Sequence, residues 1–136
     1  AKLPENPTGS RVFYMPHKPV VKSSATTTKV RMVFDASAKP NPLAPSINEC
    51  MYKGPPLQPL LWDILIRARM APNLLIGDIQ QAFLQVGLKP EDRDAFRFVF
   101  ELLDGTEEQF RFTRILFRAE ASPFLLGATL QNHYSS

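Results

Sequence analysis

A chain of 136 residues with 44% hydrophobic content can bury one modest core, which excludes several packed domains. Its longest apolar runs, such as Leu60–Trp62 and Leu74–Ile76, fall far short of the roughly 20 residues a membrane helix needs, and the single Cys50 excludes an internal disulfide or a multi-cysteine zinc site. Net charge is only +3, yet residues 1–71 carry ten Lys/Arg against four acids while residues 72–136 carry six against nine, an asymmetry that suits either a basic lobe for phosphates beside an acidic lobe for metal ions or ordinary solvated surface. The chain reads as soluble and unsecreted, intracellular in the cytoplasm or nucleus, with no signal peptide.

In chain order, residues 1–10 carry Pro4, Pro7 and Gly9 and no initiating Met, so an irregular lead-in cut from something longer is expected. Val12–Met15, Pro19–Lys22 and Lys29–Asp35 are β-branched or aromatic, and the polar stretch Ser23–Thr28 is placed to turn the last two into a hairpin. Alternation puts Lys29 and Arg31 on one face and Val30, Met32 and Phe34 on the other. Residues 38–59 are crowded with Pro, Asn, Ser and Gly and should be turn-rich. Within Leu57–Met70, Leu60, Leu61, Ile64, Leu65 and Ala68 recur at helical spacing, with Arg67 and Arg69 near the end and Pro72 beyond. This predicts one amphipathic helix, on which Trp62 reads as core.

Asn73–Asp78 is a short apolar run ending in an acid, and predicts a buried strand that delivers Asp78 to its edge. Glu91–Asp94 after Pro90 reads as a solvated turn. Phe96–Phe100 and Gln109–Thr113 flank the turn signal Asp104-Gly105 and predict a second hairpin, and Ala121–Tyr134 predicts a closing helix with Ser122 as its cap and Pro123 in its first turn. Cys50 reads as a small apolar residue. His17 and His133 stand far apart with no partner at ligand spacing. The fold class is α+β, with antiparallel strands and two main helices.

An acid at the end of a buried strand is costly unless a cation or hydrogen-bond donors compensate, so Asp78 is either a metal-binding or catalytic carboxylate, or the cap of a following helix. Its context, Asp78-Ile79-Gln80-Gln81-Ala82-Phe83, resembles the first metal-binding motif of reverse transcriptases. Lys29-Val30-Arg31-Met32-Val33-Phe34-Asp35-Ala36-Ser37-Ala38 resembles the fingers strand of the BEL/Pao group of retrotransposon polymerases. Ala119-Glu120-Ala121-Ser122-Pro123-Phe124 resembles that group's next motif, beside the nascent base pair. The three stand in the right order and span nearly the whole chain.

The resemblance implies a fingers-like region at 11–71 and a partial palm-like region at 72–136 that stops before a Tyr-x-Asp-Asp hairpin. It implies an RNA-directed DNA polymerase that adds deoxynucleotides to a primer 3′-hydroxyl with two magnesium ions. On that reading the Asp78 carboxylate and the Ile79 carbonyl supply hard oxygens to Mg2+. Phe83 lies under the deoxyribose, Arg31 lies over the triphosphate, Lys22 reaches the terminal phosphate, and Phe117 abuts the nucleotide. Lys29 shares the face of Arg31 without an assigned role, and Asp35 either orients a neighbouring cation or closes the strand end. Implied partners are an RNA/DNA template-primer, deoxynucleoside triphosphates, and the protease, RNase H and integrase regions of a polyprotein, with no membrane.

Two departures stand out. Where the group reads Leu-Pro-Phe-Gly, this chain has Ile115-Leu116-Phe117-Arg118; glycine serves where the backbone needs an unusual dihedral or a ligand comes close, so Arg118 is expected to block or misplace the nucleotide and template base. The family's paired aspartates would follow the helix containing Gln131 and Tyr134, and the sequence ends at Ser136. Asp78 alone cannot hold two magnesium ions, so the segment is expected to be inactive by itself. The alternative is a non-catalytic nucleic-acid-binding or domesticated or decayed remnant.

Overall fold

The computed structural model describes Pro7, residues 11–22 and residues 30–135. Among these residues the chain is a small α+β protein with two antiparallel two-stranded sheets, four helices and one 3₁₀ turn. The lead-in at 1–10, apart from Pro7, lies outside the described residues, as do Lys29 and the Ser23–Thr28 connection.

Strands β1 (His17–Val21) and β2 (Val30–Phe34) form the first hairpin, His17 opposite Phe34 and Val21 opposite Val30. Alternation along this register puts Lys18, Val20, Arg31 and Val33 on one face and His17, Pro19, Val21, Val30, Met32 and Phe34 on the other. The second hairpin joins β3 (Arg97–Glu101) to β4 (Glu107–Arg111), with Phe98 opposite Phe110. Its turn follows the Asp104-Gly105 signal: the Asp104 carboxylate accepts from the Thr106 amide at 2.9 Å and hydroxyl at 2.6 Å, and Gly105 takes φ +81°.

The hairpins meet through their aromatic faces. His17 stacks on Phe34 (5.3 Å between ring centroids) and on Phe100 (5.8 Å), while Phe34 meets Phe98 at 4.9 Å and Phe112 at 4.8 Å edge to face. Two-stranded sheets are marginal alone; aromatic pairs that add about 0.5–1.5 kcal/mol each beyond area burial give each hairpin the other as support. Val12–Met15 makes no full third strand. Tyr14 bridges Arg97, with the Met15 amide donating to the Arg97 carbonyl at 2.8 Å, and Pro16, which has no N–H, ends the ladder.

The core gathers Met15, Ala36, Ile47, Phe96, Leu116 and Ala119, with Phe13, Met51, Leu88, Ala95 and Phe112 packed against it. Ile47 arrives on α1 (Ile47–Cys50), a single turn held by a capping box in which Ser46 Oγ accepts from the Glu49 amide at 3.3 Å and Glu49 Oε2 accepts from the Ser46 amide at 2.8 Å. Cys50 on this turn is exposed rather than a core residue.

The charge run after Pro90 is not a solvated turn. Pro90–Phe96 winds as the 3₁₀ turn and takes Asp94 inside, 2% exposed. There Arg97 donates to its Oδ1 from Nε (3.1 Å) and Nη2 (2.9 Å), and Arg111, opposite Arg97 on β4, donates from Nη1 (2.8 Å). Burial pushes this carboxyl up, but the hydrogen bonds and charges of Arg111 and Arg97 outweigh it and hold Asp94 well below the usual carboxylate range.

Two other expectations fail for one shared reason. Helix α2 (Leu61–Arg69) starts later than the apolar spacing predicts and buries none of its residues, Trp62 being 70% exposed. Residues 73–79 form no strand, and Leu75 and Ile76 are 96% and 89% exposed. A strand exists only against a ladder partner and an apolar helix face is buried only against another surface; no described segment supplies either. The remaining helices are α3 (Ala82–Gln85) and α4 (Ser122–Ser135). Ser122 lies inside the first turn of α4, and its hydroxyl, instead of capping amides, donates to the Leu116 carbonyl at 2.7 Å. No described helix is long and apolar enough to cross a membrane.

Candidate functional site

Phe83 of α3 and Phe117, in the loop ahead of α4, meet edge to face with centroids 4.6 Å apart. These two residues, 34 apart in sequence, are both among the positions that the resemblance assigns to the nucleotide. The two non-glycine residues with positive φ among the described residues flank this pair: Gln81 (φ 53°) directly precedes α3, and Arg118 (φ 70°) directly follows Phe117. A residue with a Cβ loses roughly 1–2 kcal/mol in the left-handed region, so such a conformation persists where neighbours enforce it, and it gathers at functional positions.

Hydrogen bonds from neighbouring residues hold this backbone in place. Asn48 of α1 donates from Nδ2 to the Arg118 carbonyl at 3.1 Å and accepts at Oδ1 from the Glu120 amide at 3.1 Å. The same side chain donates to Ser37 Oγ at 3.0 Å, and its own amide donates to the Ala36 carbonyl at 3.1 Å. One asparagine thus fastens the end of β2 to the loop that carries Phe117 and Arg118. The Ser122 hydroxyl on Leu116 holds the other side of that loop. On the α3 side, the Gln81 carbonyl accepts from the Leu84 amide at 2.8 Å.

Arg118, which the resemblance sets against a glycine, has a backbone in the conformation for which glycine is used. The arginine therefore keeps the glycine geometry and adds a long cationic side chain to it. Arg118→Gly is expected to raise stability by about 0.5–1 kcal/mol, the relief of left-handed strain less the extra unfolded-state freedom of glycine; thermal unfolding of the two proteins checks this.

The cations lie on the first hairpin. Arg31 sits on β2 opposite Val20, Lys22 directly follows β1, and both are exposed. Lys18 shares the face of Arg31 and was not singled out by the sequence reading; its even spacing from Lys22 is the signal that finds it once β1 is known to begin at His17. Asn48 carried no such signal, since it lies in the turn-rich stretch where polar residues are ordinary.

Asp78 and Ile79 do not sit at the edge of a buried strand. Both are exposed in the irregular stretch 73–79, for the reason given above. Magnesium demands a near-octahedral set of oxygens, whereas the described residues contain no group of three His, Cys, Asp or Glu able to hold a metal ion. One carboxylate with one carbonyl does not make that set, so Asp78 and Ile79 do not by themselves fit a magnesium ion.

No protein-family model, curated protein or solved structure matches this chain.

Proposed function

We propose that this chain is the fingers and first half of the palm of an RNA-directed DNA polymerase of the BEL/Pao retrotransposon type, a segment that binds nucleic acid and nucleotide phosphates and does not turn over by itself. The observation that carries the reading is the backbone at Arg118: the position where the resembled motif has glycine takes φ 70° and directly follows Phe117, whose ring meets Phe83. A ring pair alone does not require left-handed backbone at Gln81 and Arg118, so the two positive φ values beside it support a turn shaped for a ligand. In the complete enzyme, magnesium would need further acids besides Asp78, and the template-primer and deoxynucleoside triphosphates are the partners this reading supplies.

A second reading, a nucleic-acid-binding remnant without turnover, draws on the same arginine. Its side chain stands where the motif leaves bare backbone, and Asp78 belongs to no group of three His, Cys, Asp or Glu placed to hold a metal among the described residues. Primer extension divides the two. In a polypeptide that carries the palm on through an aspartate pair, Arg118→Gly should raise nucleotide incorporation under the polymerase reading and leave it at background under the remnant reading.

Nucleic-acid binding itself is tested by salt. The logarithm of the affinity for a single-stranded oligonucleotide should fall linearly with the logarithm of salt concentration, and Lys22→Ala and Arg31→Ala should each weaken binding and lower the magnitude of that slope by about one. Binding that ignores salt, or an unchanged slope in both variants, would show that the cationic face of the hairpin is not the phosphate-holding surface.

A further inference from the structure

At the root of the first hairpin, Pro16, His17, Lys18, Val33, Asp35 and Arg118 line a cavity of about 210 Å³. Pockets for whole small molecules begin near roughly 300 Å³, so this one admits a chemical group and leaves the rest of a ligand outside. Its two full cations come from separate parts of the chain, Lys18 from β1 and Arg118 from the loop ahead of α4. Neither is ion-paired among the described residues. The one acid in the wall, Asp35, already accepts from the Ser37 amide at Oδ1, 3.0 Å away. The walls are firm: the His17 ring is stacked between Phe34 and Phe100, and the Arg118 carbonyl is held by Asn48.

Lys18 and Arg118 outnumber Asp35 in the wall and leave it net positive, a charge that an anion seated in the cavity would balance. A guanidinium offers a planar fork of donors and an ammonium a point charge, the pair of shapes suited to the oxygens of a tetrahedral phosphate. We propose that Lys18 and Arg118, with His17 at the wall, form a receptor for a single phosphate group. The site is separate from Lys22 and Arg31, and it exists because this chain has arginine at a position the resembled motif keeps bare. The same chemistry is offered by the tail of a nucleoside triphosphate and by the backbone of a polynucleotide.

The test titrates the intact chain with inorganic pyrophosphate at low ionic strength, followed by amide NMR. Signals of His17, Lys18, Asp35 and Arg118 should move together. Lys18→Gln and Arg118→Gly should each weaken pyrophosphate binding about tenfold, the loss of one charge-assisted contact, while Lys89→Ala, an exposed cation outside the cavity wall, should leave it unchanged. Arg118→Gly is the decisive variant, since it relaxes the backbone; weaker binding together with equal or higher thermal stability is not a folding defect. Displacement of pyrophosphate by a deoxynucleoside triphosphate assigns the phosphate to a nucleotide, and displacement by an unphosphorylated-end oligodeoxynucleotide assigns it to the polynucleotide backbone. Displacement by neither overturns the proposal, as does wild-type affinity in both cavity variants. Loss of oligonucleotide binding in Lys22→Ala with pyrophosphate binding intact would support the hairpin face and the cavity as separate sites, so the two readings stand or fall independently.

Discussion

Asp94→Asn is expected to destabilise the fold by about 3–5 kcal/mol, a large part of the 5–15 kcal/mol that holds a typical domain. Asp94 is 2% exposed and Arg97 fully buried, and together with Arg111 they make one charged cluster at the junction of the 3₁₀ turn and the second hairpin. The cluster as a whole does not contribute that much, because drawing three charges out of water cancels most of their attraction. Removing the carboxylate that Arg97 and Arg111 share is different. The two guanidinium groups then face each other across β3 and β4 without it. Urea denaturation of the two proteins measures the effect, and a loss under 1 kcal/mol would mean that water reaches the cluster.

The same group sets an acid limit. Its ordinary value is 3.8, and the folded protein holds it lower, so the unfolded chain takes up the proton first as pH falls. The stabilisation is complete well above that ordinary value and is lost progressively below it. Denaturation midpoints measured from neutral pH down to about pH 3 should therefore fall more steeply in the wild type than in Asp94→Asn.

Gly54→Ala should cost about 2–4 kcal/mol, from two separate sources. Gly54 takes φ +76°, and a Cβ built there would lie on the Phe124 ring, 2.6 and 2.7 Å from its two Cδ atoms. Those atoms are the root of a rigid ring in the first turn of α4, not the far end of a flexible chain, so either the ring or the loop at 53–58 must move. Gly105→Ala is the matched control. It has φ +81° but nothing within 4 Å of the new Cβ, and should show only the backbone part, roughly 1–2 kcal/mol. The difference between the two variants isolates the collision with Phe124.

Both hairpins were legible in the sequence because their information is local. Alternation fixes the faces, and Asp104-Gly105 encodes its own turn. The closing helix was legible for the same reason, through Pro123 and the apolar run after it. The charge run at 91–94 misled because polarity alone does not reveal that arginines three and seventeen positions beyond Asp94 converge on it. For 61–69 and 73–79 the pattern correctly says that the residues are apolar, but a pattern cannot say what covers them. Of the candidate site, Phe83 and Phe117 were named from motif position and lie together, while the contribution of Asn48 depended on long-range hydrogen bonds that no local spacing announces.

The core residues come from two stretches, Phe13 to Met51 and Leu88 to Ala119, and the intervening residues 52–87 bury none of their own. Assembly of this protein is therefore a ring-closing problem: the intervening stretch must be looped out before Ile47 can touch Phe96 or Leu116. That entropic toll grows only with the logarithm of the loop's length. Lengthening or shortening the span should alter the rate of folding modestly, whereas the helical preference of α2 has little bearing on it.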